Sequence, residues 1–364
     1  MEFGLSNEQQ LLENSLRGVL REELSLDKLR KVAGTGTEFA ATLWQRLVGQ
    51  GIVGLLVPEH FGGSGLALLD AAVVAESLGY YVAPTPFPAS VVMAPLAVMS
   101  FGSKEQQAEW LPKIASGEVR MGMAFVDGAG QTGGNLAQLD GNKLSGHLTG
   151  VLDAGAASHV LLFLPDGRAA LIDADDRRVT IDVRASLDRT RPISGFSLDA
   201  AEAIILNEAT DAPLAAARIA DAGRVILAAD TLGAAQSMFD RALDYSKQRI
   251  QFNRAIGSFQ AVKHTLAELA TMLEPCRALV WYAAYAQDAL PKDARIAALH
   301  AKAHMGEIGR EVARLTTEVH GGMGFTDLLG LHYWFKRIAF DRQMLGAPEY
   351  CRREAAAVQG WLSV

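Results

Sequence analysis

Hydrophobic positions in the first third of the chain recur at helical spacing. Leu12, Leu16, Val19 and Leu20 share one stripe. Ser6 with Gln9 places a capping box ahead of them, the hydroxyl accepting from an early N–H while the amide side chain reaches back. Phe39, Leu43, Leu47 and Val48 repeat the period and stop at Gly49 and Gly51. Residues 57–65 are dense in breakers, the helical pattern returns over 67–78 and ends at Gly79, and Ser103 with Gln106 repeats the capping signature. From about residue 121 to 206 the apolar runs become short and rich in Val, Leu and Ile. Asp140 with Gly141 and Asp166 with Gly167 are hairpin signals, and residues 179–183 alternate as a half-buried strand does. Helical pattern then takes over. Asp211 and Pro213 open a helix that runs to about Lys247, roughly 50 Å at 1.5 Å per residue. Further blocks lie near 260–290, 293–319 and 333–360. The expectation is a mainly α chain with a central β domain: helical domain 1–118, a small antiparallel β-barrel over 119–210, and a four-helix bundle over 211–364.

Length and composition agree with that division. The chain has 364 residues, and 49% hydrophobic against 21% charged is enough to bury cores. A net charge of −7 argues against a surface that reads nucleic-acid phosphates, while leaving room for a local basic pocket. The first residues lack a basic head followed by an apolar run, so no secretory signal is expected. The run nearest to a membrane span, 82–99, is broken by Pro84, Pro86, Pro88 and Pro95. Cys276 and Cys351 stand far apart, which suits a reducing compartment and a cytoplasmic protein.

Several chemical signals are weak. His300 and His304 lie four apart on a helix without a third ligand, so no metal site is expected. Residues 61–65 make neither a phosphate-binding loop nor a nucleophile elbow, and Gly322-Met323-Gly324 follows a helix rather than a strand. Two segments carry more. Residues 249–260 hold Arg249, Phe252, Arg254, Phe259 and Gln260 in a tight break between long helices. A guanidinium fork suits a phosphate oxygen pair, and an aromatic beside it packs against a ring. Residues 318–325 put Gly321, Gly322 and Gly324 at a helix end, where backbone N–H groups can approach a diphosphate. These segments stand at the two ends of the expected bundle.

The order of the three parts, residues 249–260, residues 320–325 and the stretch Val57-Pro58-Glu59-His60-Phe61-Gly62-Gly63 together resemble the acyl-CoA dehydrogenase family. The resemblance implies an oligomer, usually a tetramer, with FAD between subunits and oxidation of an acyl-CoA to the 2,3-enoyl-CoA. A carboxylate takes the α-proton while a hydride leaves the β-carbon for the flavin. Arg249, Phe252, Ile256, Phe259, Gln260, His320, Gly321 and Gly322 match the positions that grip the adenosine and pyrophosphate of a neighbour's FAD, and Glu318 stands where a Gln is common. Asp221 and Arg224 fall at the acyl-CoA cleft. The catalytic positions depart from the pattern. Leu345 replaces the usual base in 344–347, and Gly223 replaces the alternative one. Gly150-Val151-Leu152 stands for the flavin-contacting Trp-Ile-Thr, and Phe125-Val126-Asp127-Gly128 for a Thr-Glu-Pro-Gly-like loop.

The expectation is therefore a chain without its own base that completes the FAD site of a second acyl-CoA dehydrogenase chain, with an electron-transfer flavoprotein as acceptor. Two alternatives are a self-sufficient homo-oligomer with a relocated base, drawn from Glu349, Asp341 or Asp221, and an acyl-CoA-binding scaffold without catalysis.

Overall fold

A computed structural model describes residues 4–35, 41–125, 136–184, 186–191 and 193–362. The helical start is α1 (Asn7–Glu23), α2 (Leu26–Thr35), α3 (Ala41–Gly49), α4 (Leu68–Tyr80), α5 (Ala94–Phe101) and α6 (Lys104–Ala115). Both expected capping boxes form: Ser6 and Ser103 accept from the N–H of Gln9 and Gln106, whose side chains return the bond. Phe39 lies outside the described residues, and α2 has no counterpart in the sequence reading. The proline-rich run interrupts helical structure only over residues 81–86, which hold Pro84 and Pro86. Phe87–Met93 forms a π-helical stretch that leads directly into α5, with Pro95 in the first turn of α5, where its missing N–H costs nothing.

The middle of the chain holds β1 (Met121–Phe125), β2 (Leu136–Asp140), β3 (Lys143–Val151), β4 (His159–Phe163), β5 (Ala169–Asp173), β6 (Val179–Arg184) and β7 (Ile193–Leu206). They form one sheet in the order β1-β4-β5-β7-β3-β2, with β6 also paired to β7. The sheet curls into a half-barrel, and reciprocal backbone bonds between Met123 and Leu152, 2.9 and 3.0 Å, bridge β1 to the residue after β3. The interior of the half-barrel is filled by Leu144, Leu148, Val160, Leu162, Ile172 and Phe196. The antiparallel expectation needs one correction: β1 and β4 run parallel, because the chain makes the β2–β3 excursion before returning beside β1. The first hairpin turn also moves by one residue, to Gly141 and Asn142 between the pair Asp140 and Lys143.

The last part begins with α7 (Ala212–Gln248), whose first turn is capped by Asp211 accepting from the Leu214 N–H. It continues through a short hairpin, β8 (Ile250–Gln251) and β9 (Arg254–Ala255), into α8 (Gln260–Ala289) and α9 (Ala294–His320). The fourth expected block is two helices, α10 (Leu331–Gln343) and α11 (Pro348–Val358), so the bundle has five. The break falls at Leu345 and Gly346, both left-handed with φ +55° and +105°.

Contacts gather the chain into two units. One is Met1–Leu26, Ala72–Ala83 and Arg224–Val364; the other is Asp27–Ala71 and Pro84–Gly223. Within the first, α4 and α7 cross almost backbone to backbone. A Cβ on Gly233 would lie 1.8 Å from the Glu76 carbonyl oxygen, and one on Gly79 would lie 2.0 Å from that of Asp230. Near this crossing, Arg337 on α10 pairs with Asp230 at 3.3 Å, both side chains buried. Within the second unit, Asp153 accepts from the Ala89 N–H at 2.9 Å and faces Arg191 at 3.7 Å, again buried.

Candidate functional site

The break after α7 is a two-residue hairpin. Ile250 pairs with Ala255 and Gln251 with Arg254, leaving Phe252 and Asn253 in the turn at φ +50° and +60°. Two successive left-handed residues are what a type I′ turn demands. A phenylalanine there costs about 1–2 kcal/mol of backbone strain. Nothing in this chain offsets that cost by burial, since Phe252 is 87% exposed. Phe252 meets Phe259 edge to face at 6.1 Å, and the Arg254 guanidinium lies 3.9 Å over the Phe259 ring. Arg249 accepts at its carbonyl from the Ile256 N–H, and its exposed guanidinium makes no ion pair or side-chain hydrogen bond among the described residues. Ile256 is half-buried, and Gln260 is exposed at the start of α8.

The glycine segment follows α9. His320 is buried, and its Nδ1 donates to the Thr316 carbonyl at 2.7 Å. Burial holds its pKa below the ordinary value, so the ring is neutral at physiological pH. Gly321 is left-handed at φ +58°. A Cβ on Gly321 or Gly322 would meet nothing within 4 Å, whereas one on Gly324 would strike the Thr317 carbonyl oxygen at 2.6 Å. The first two glycines therefore keep an outer surface open, and the third serves packing. Phe325 beyond them is 80% exposed. Glu318 is held by Arg314 at 2.6 Å and is not available as a neutral donor.

The hairpin and the glycine turn lie together at one end of the bundle, not at its two ends, because α8 runs back between α7 and α9. Tyr245 joins them: its carbonyl accepts from the Arg249 N–H at 2.8 Å and its ring stacks on His320 at 4.6 Å.

The turn after α10 is of another kind. Leu345 is fully buried, and neither it nor Gly346 carries a protonatable group. Arg224, buried on α7 one residue after Gly223, donates from Nε to the Leu345 carbonyl at 2.8 Å. Leu345 and Gly223, the two positions where the resemblance places a base, both lack one. Lys302, buried on α9, donates to the carbonyls of Arg342 at 3.0 Å and Gly346 at 3.1 Å. Desolvation brings its pKa down to about 8. Of the spare carboxylates, Glu349 is the least suited to proton abstraction. Its side chain is 68% exposed and paired with Arg342 at 3.0 Å, and its own N–H at the start of α11 and then Arg342 hold its pKa below the usual range. Asp341 is buried and accepts from Thr231 at 3.4 Å; Asp221 is buried on α7. His300 and His304 are exposed on α9.

In the barrel, Gly150 is left-handed at φ +68° with nothing within 4 Å of its absent Cβ, while Val151 packs into the barrel core and Leu152 is also buried. Phe125 stacks on Phe163 at 4.8 Å, and Val126, Asp127 and Gly128 lie outside the described residues. The sequence reading missed Lys302 and the Arg224 bond to Leu345. A lysine on the apolar stripe of Ala298, Met305 and Gly309 was the available signal for the first.

Residues 6–118 match the N-terminal domain, and residues 214–359 the C-terminal domain, of acyl-CoA dehydrogenase. The chain belongs to the acyl-CoA dehydrogenase family. It is 30% identical to the acyl-CoA dehydrogenase FadE27 of Mycobacterium tuberculosis, over 85% of this chain and 84% of that protein. It is 29% identical to the acyl-CoA dehydrogenase IpdE2 of Mycolicibacterium smegmatis, over 97% of this chain and all of the other. Among solved structures, a steroid ACAD, Tcur3481-Tcur3483, matches with TM-score 0.87 and 30% identity over 97% of this chain and 98% of that one. The ChsE4-ChsE5 complex from Mycobacterium tuberculosis matches with TM-score 0.89 and 25% identity over the whole of both chains.

Members of the family are FAD-dependent oxidoreductases. An arginine without an internal partner, an exposed aromatic turn and open glycines fit the anionic adenosine-pyrophosphate half of FAD. The isoalloxazine half finds no such fit: Gly150 presents no side chain, Val151 is buried in the barrel core, and Leu152 is buried as well. No helix of the described residues is long and apolar enough to cross a membrane.

Proposed function

We propose that this chain takes part in FAD-dependent α,β-dehydrogenation of an acyl-CoA thioester as the member of a hetero-oligomer that has no base of its own. One contrast carries the reading. The hairpin and glycine turn expose Arg249, Phe252 and two open glycines, whereas the base turn is buried and chemically inert. Arg249, Phe252, Ile256, Phe259, Gln260, His320, Gly321 and Gly322 would hold the adenosine and pyrophosphate of FAD housed by a neighbouring chain. Arg249 provides charge and a two-pronged donor, Phe252 an apolar face, and Gly321 and Gly322 close backbone approach. Neutral His320, locked by Thr316 and stacked on Tyr245, fixes the turn between them. Bound FAD supplies the hydride acceptor. The carboxylate that takes the α-proton then belongs to the partner, since Leu345 and Gly223 offer none.

Two relatives in solved structures bear paired names, Tcur3481-Tcur3483 and ChsE4-ChsE5, which supports a heteromer; the first, a steroid ACAD, favours a bulky acyl group. An electron-transfer flavoprotein is the proposed acceptor. Domains 1–118, 119–210 and 211–364 remain the proposed division.

The test is the visible spectrum and FAD content of the chain purified alone and titrated with FAD, then of the chain co-expressed with a second acyl-CoA dehydrogenase chain. A colourless chain alone and a yellow complex are expected. One FAD per subunit in the chain alone, with turnover of an acyl-CoA, would establish the self-sufficient reading instead. Acyl-CoA binding without FAD under any condition would favour the scaffold.

A further inference from the structure

The outward face of α8 has no part in the reading above. Ala267 and Tyr285 are five helical turns apart, so they stand on one line of that face, about 27 Å from each other, with Glu274 and Ala278 between them. All four are exposed. The two ends of this line have complementary shapes. At the first, α7 and α8 part to leave an open groove of about 560 Å³, lined by Phe239, Leu243, Leu266, Ala267 and Ala270, with exposed Lys263 at its edge. At the second, Tyr282 and Tyr285 project, 46% and 51% exposed. The Tyr282 hydroxyl reaches Asp293 at 3.5 Å, and that of Tyr285 has no partner among the described residues.

The charges are complementary in the same sense. Lys263 lies in the first turn of α8 and Asp288 in the last, both exposed and within about 20° of each other around the helix. Each is opposed by the helix dipole at its own end, which favours an anion at the start and a cation at the finish. An antiparallel copy of the helix sets each charge against its opposite and each tyrosine pair over a groove. Glu274, beside Arg277 at 3.5 Å, and the small side chain of Ala278 lie at the centre. A surface that carries both knob and hole on one line can close on itself about a two-fold axis.

We propose that α8 is the docking surface for a second copy of this chain, packed antiparallel about an axis near residues 274–278, with Tyr285 of each copy entering the other's groove. This goes beyond the half-site reading: it adds a contact between like chains to the contact between unlike chains proposed above.

The experiment is sedimentation of the full chain, purified alone, at about 50 µM. A dimer is expected. Ala267→Arg puts a long cation on an exposed helix position at the groove and should weaken the dimer by tenfold or more. Lys263→Glu and Asp288→Lys should each weaken it too, since the two-fold axis repeats every like-charge pair, and the two substitutions together should restore it. Thermal melting shows which variants are folded. A monomeric wild type, a folded Ala267→Arg chain that assembles as the wild type does, or a double variant no better than the single ones overturns the proposal. The half-site reading fails on a different readout, FAD bound with turnover by the chain alone. A yellow wild-type tetramer that Ala267→Arg splits into dimers would overturn that reading and keep the α8 contact.

Discussion

Lys302 combines a stability cost with a structural role. Its ammonium is removed from water and ends on two carbonyls of the segment that leads into α11, so desolvation is only partly offset. Lys302→Met should cost about 2 kcal/mol at pH 7 in urea unfolding, because the carbonyls of Arg342 and Gly346 lose their donor. The pH dependence has a fixed sign. The folded pKa of about 8 lies below the value of 10.5 for a free lysine, so the unfolded chain binds more protons between them. Wild-type stability should therefore rise from pH 8 toward 10.5 by this contribution, and Lys302→Met should lack it. Phe252 poses the opposite case, a strained residue with its ring in water. Phe252→Gly should leave the isolated chain as stable or up to about 1 kcal/mol more stable, by thermal melting, since glycine adopts φ +50° freely. Its side chain was legible as a candidate from its arginine neighbours; its strained turn was not, because Phe is a poor predictor of a left-handed residue.

Helices were legible where period and cap agreed. Ser6 and Ser103 announced α1 and α6, and Asp211 announced α7, because a cap is a local bond between residues three apart. The break between α10 and α11 was missed although Gly346 stood in the sequence, since Leu345 preserves the apolar period through it. What holds the break open is non-local: Arg224 and Lys302 reach it from α7 and α9. The α4–α7 crossing was equally hidden, as glycine inside a helix reads only as a weak propensity. Gly233→Val should destabilise the chain by about 3 kcal/mol in denaturant unfolding, because its side chain would meet the Glu76 backbone rather than a flexible neighbour. The parallel pairing of β1 with β4 escaped because strand direction depends on the path between strands, which alternation does not record.

In the proposed heteromer, exposed apolar groups of this chain lie where a partner chain covers them. Phe252 and Phe325 are 87% and 80% exposed on the two segments that Tyr245 brings together. Phe252→Asp with Phe325→Asp should leave the melting temperature of the chain alone within about 3 °C and weaken its assembly with a partner by tenfold or more. Analytical ultracentrifugation of the mixed chains would read this, and undiminished assembly would count against the hairpin and glycine turn as the shared surface. The sequence by itself determined the order of helix, β-barrel and helix, the family, the candidate grip on adenosine and pyrophosphate, and the absence of a base at 345 and 223. These depend on local periodicity, local caps and residue identity at single positions. Only the tertiary structure decided that the hairpin and glycine turn share one end, and that Arg224 and Lys302 reach the Leu345–Gly346 break from α7 and α9. Such facts depend on which distant backbones meet, and packing rather than composition sets that.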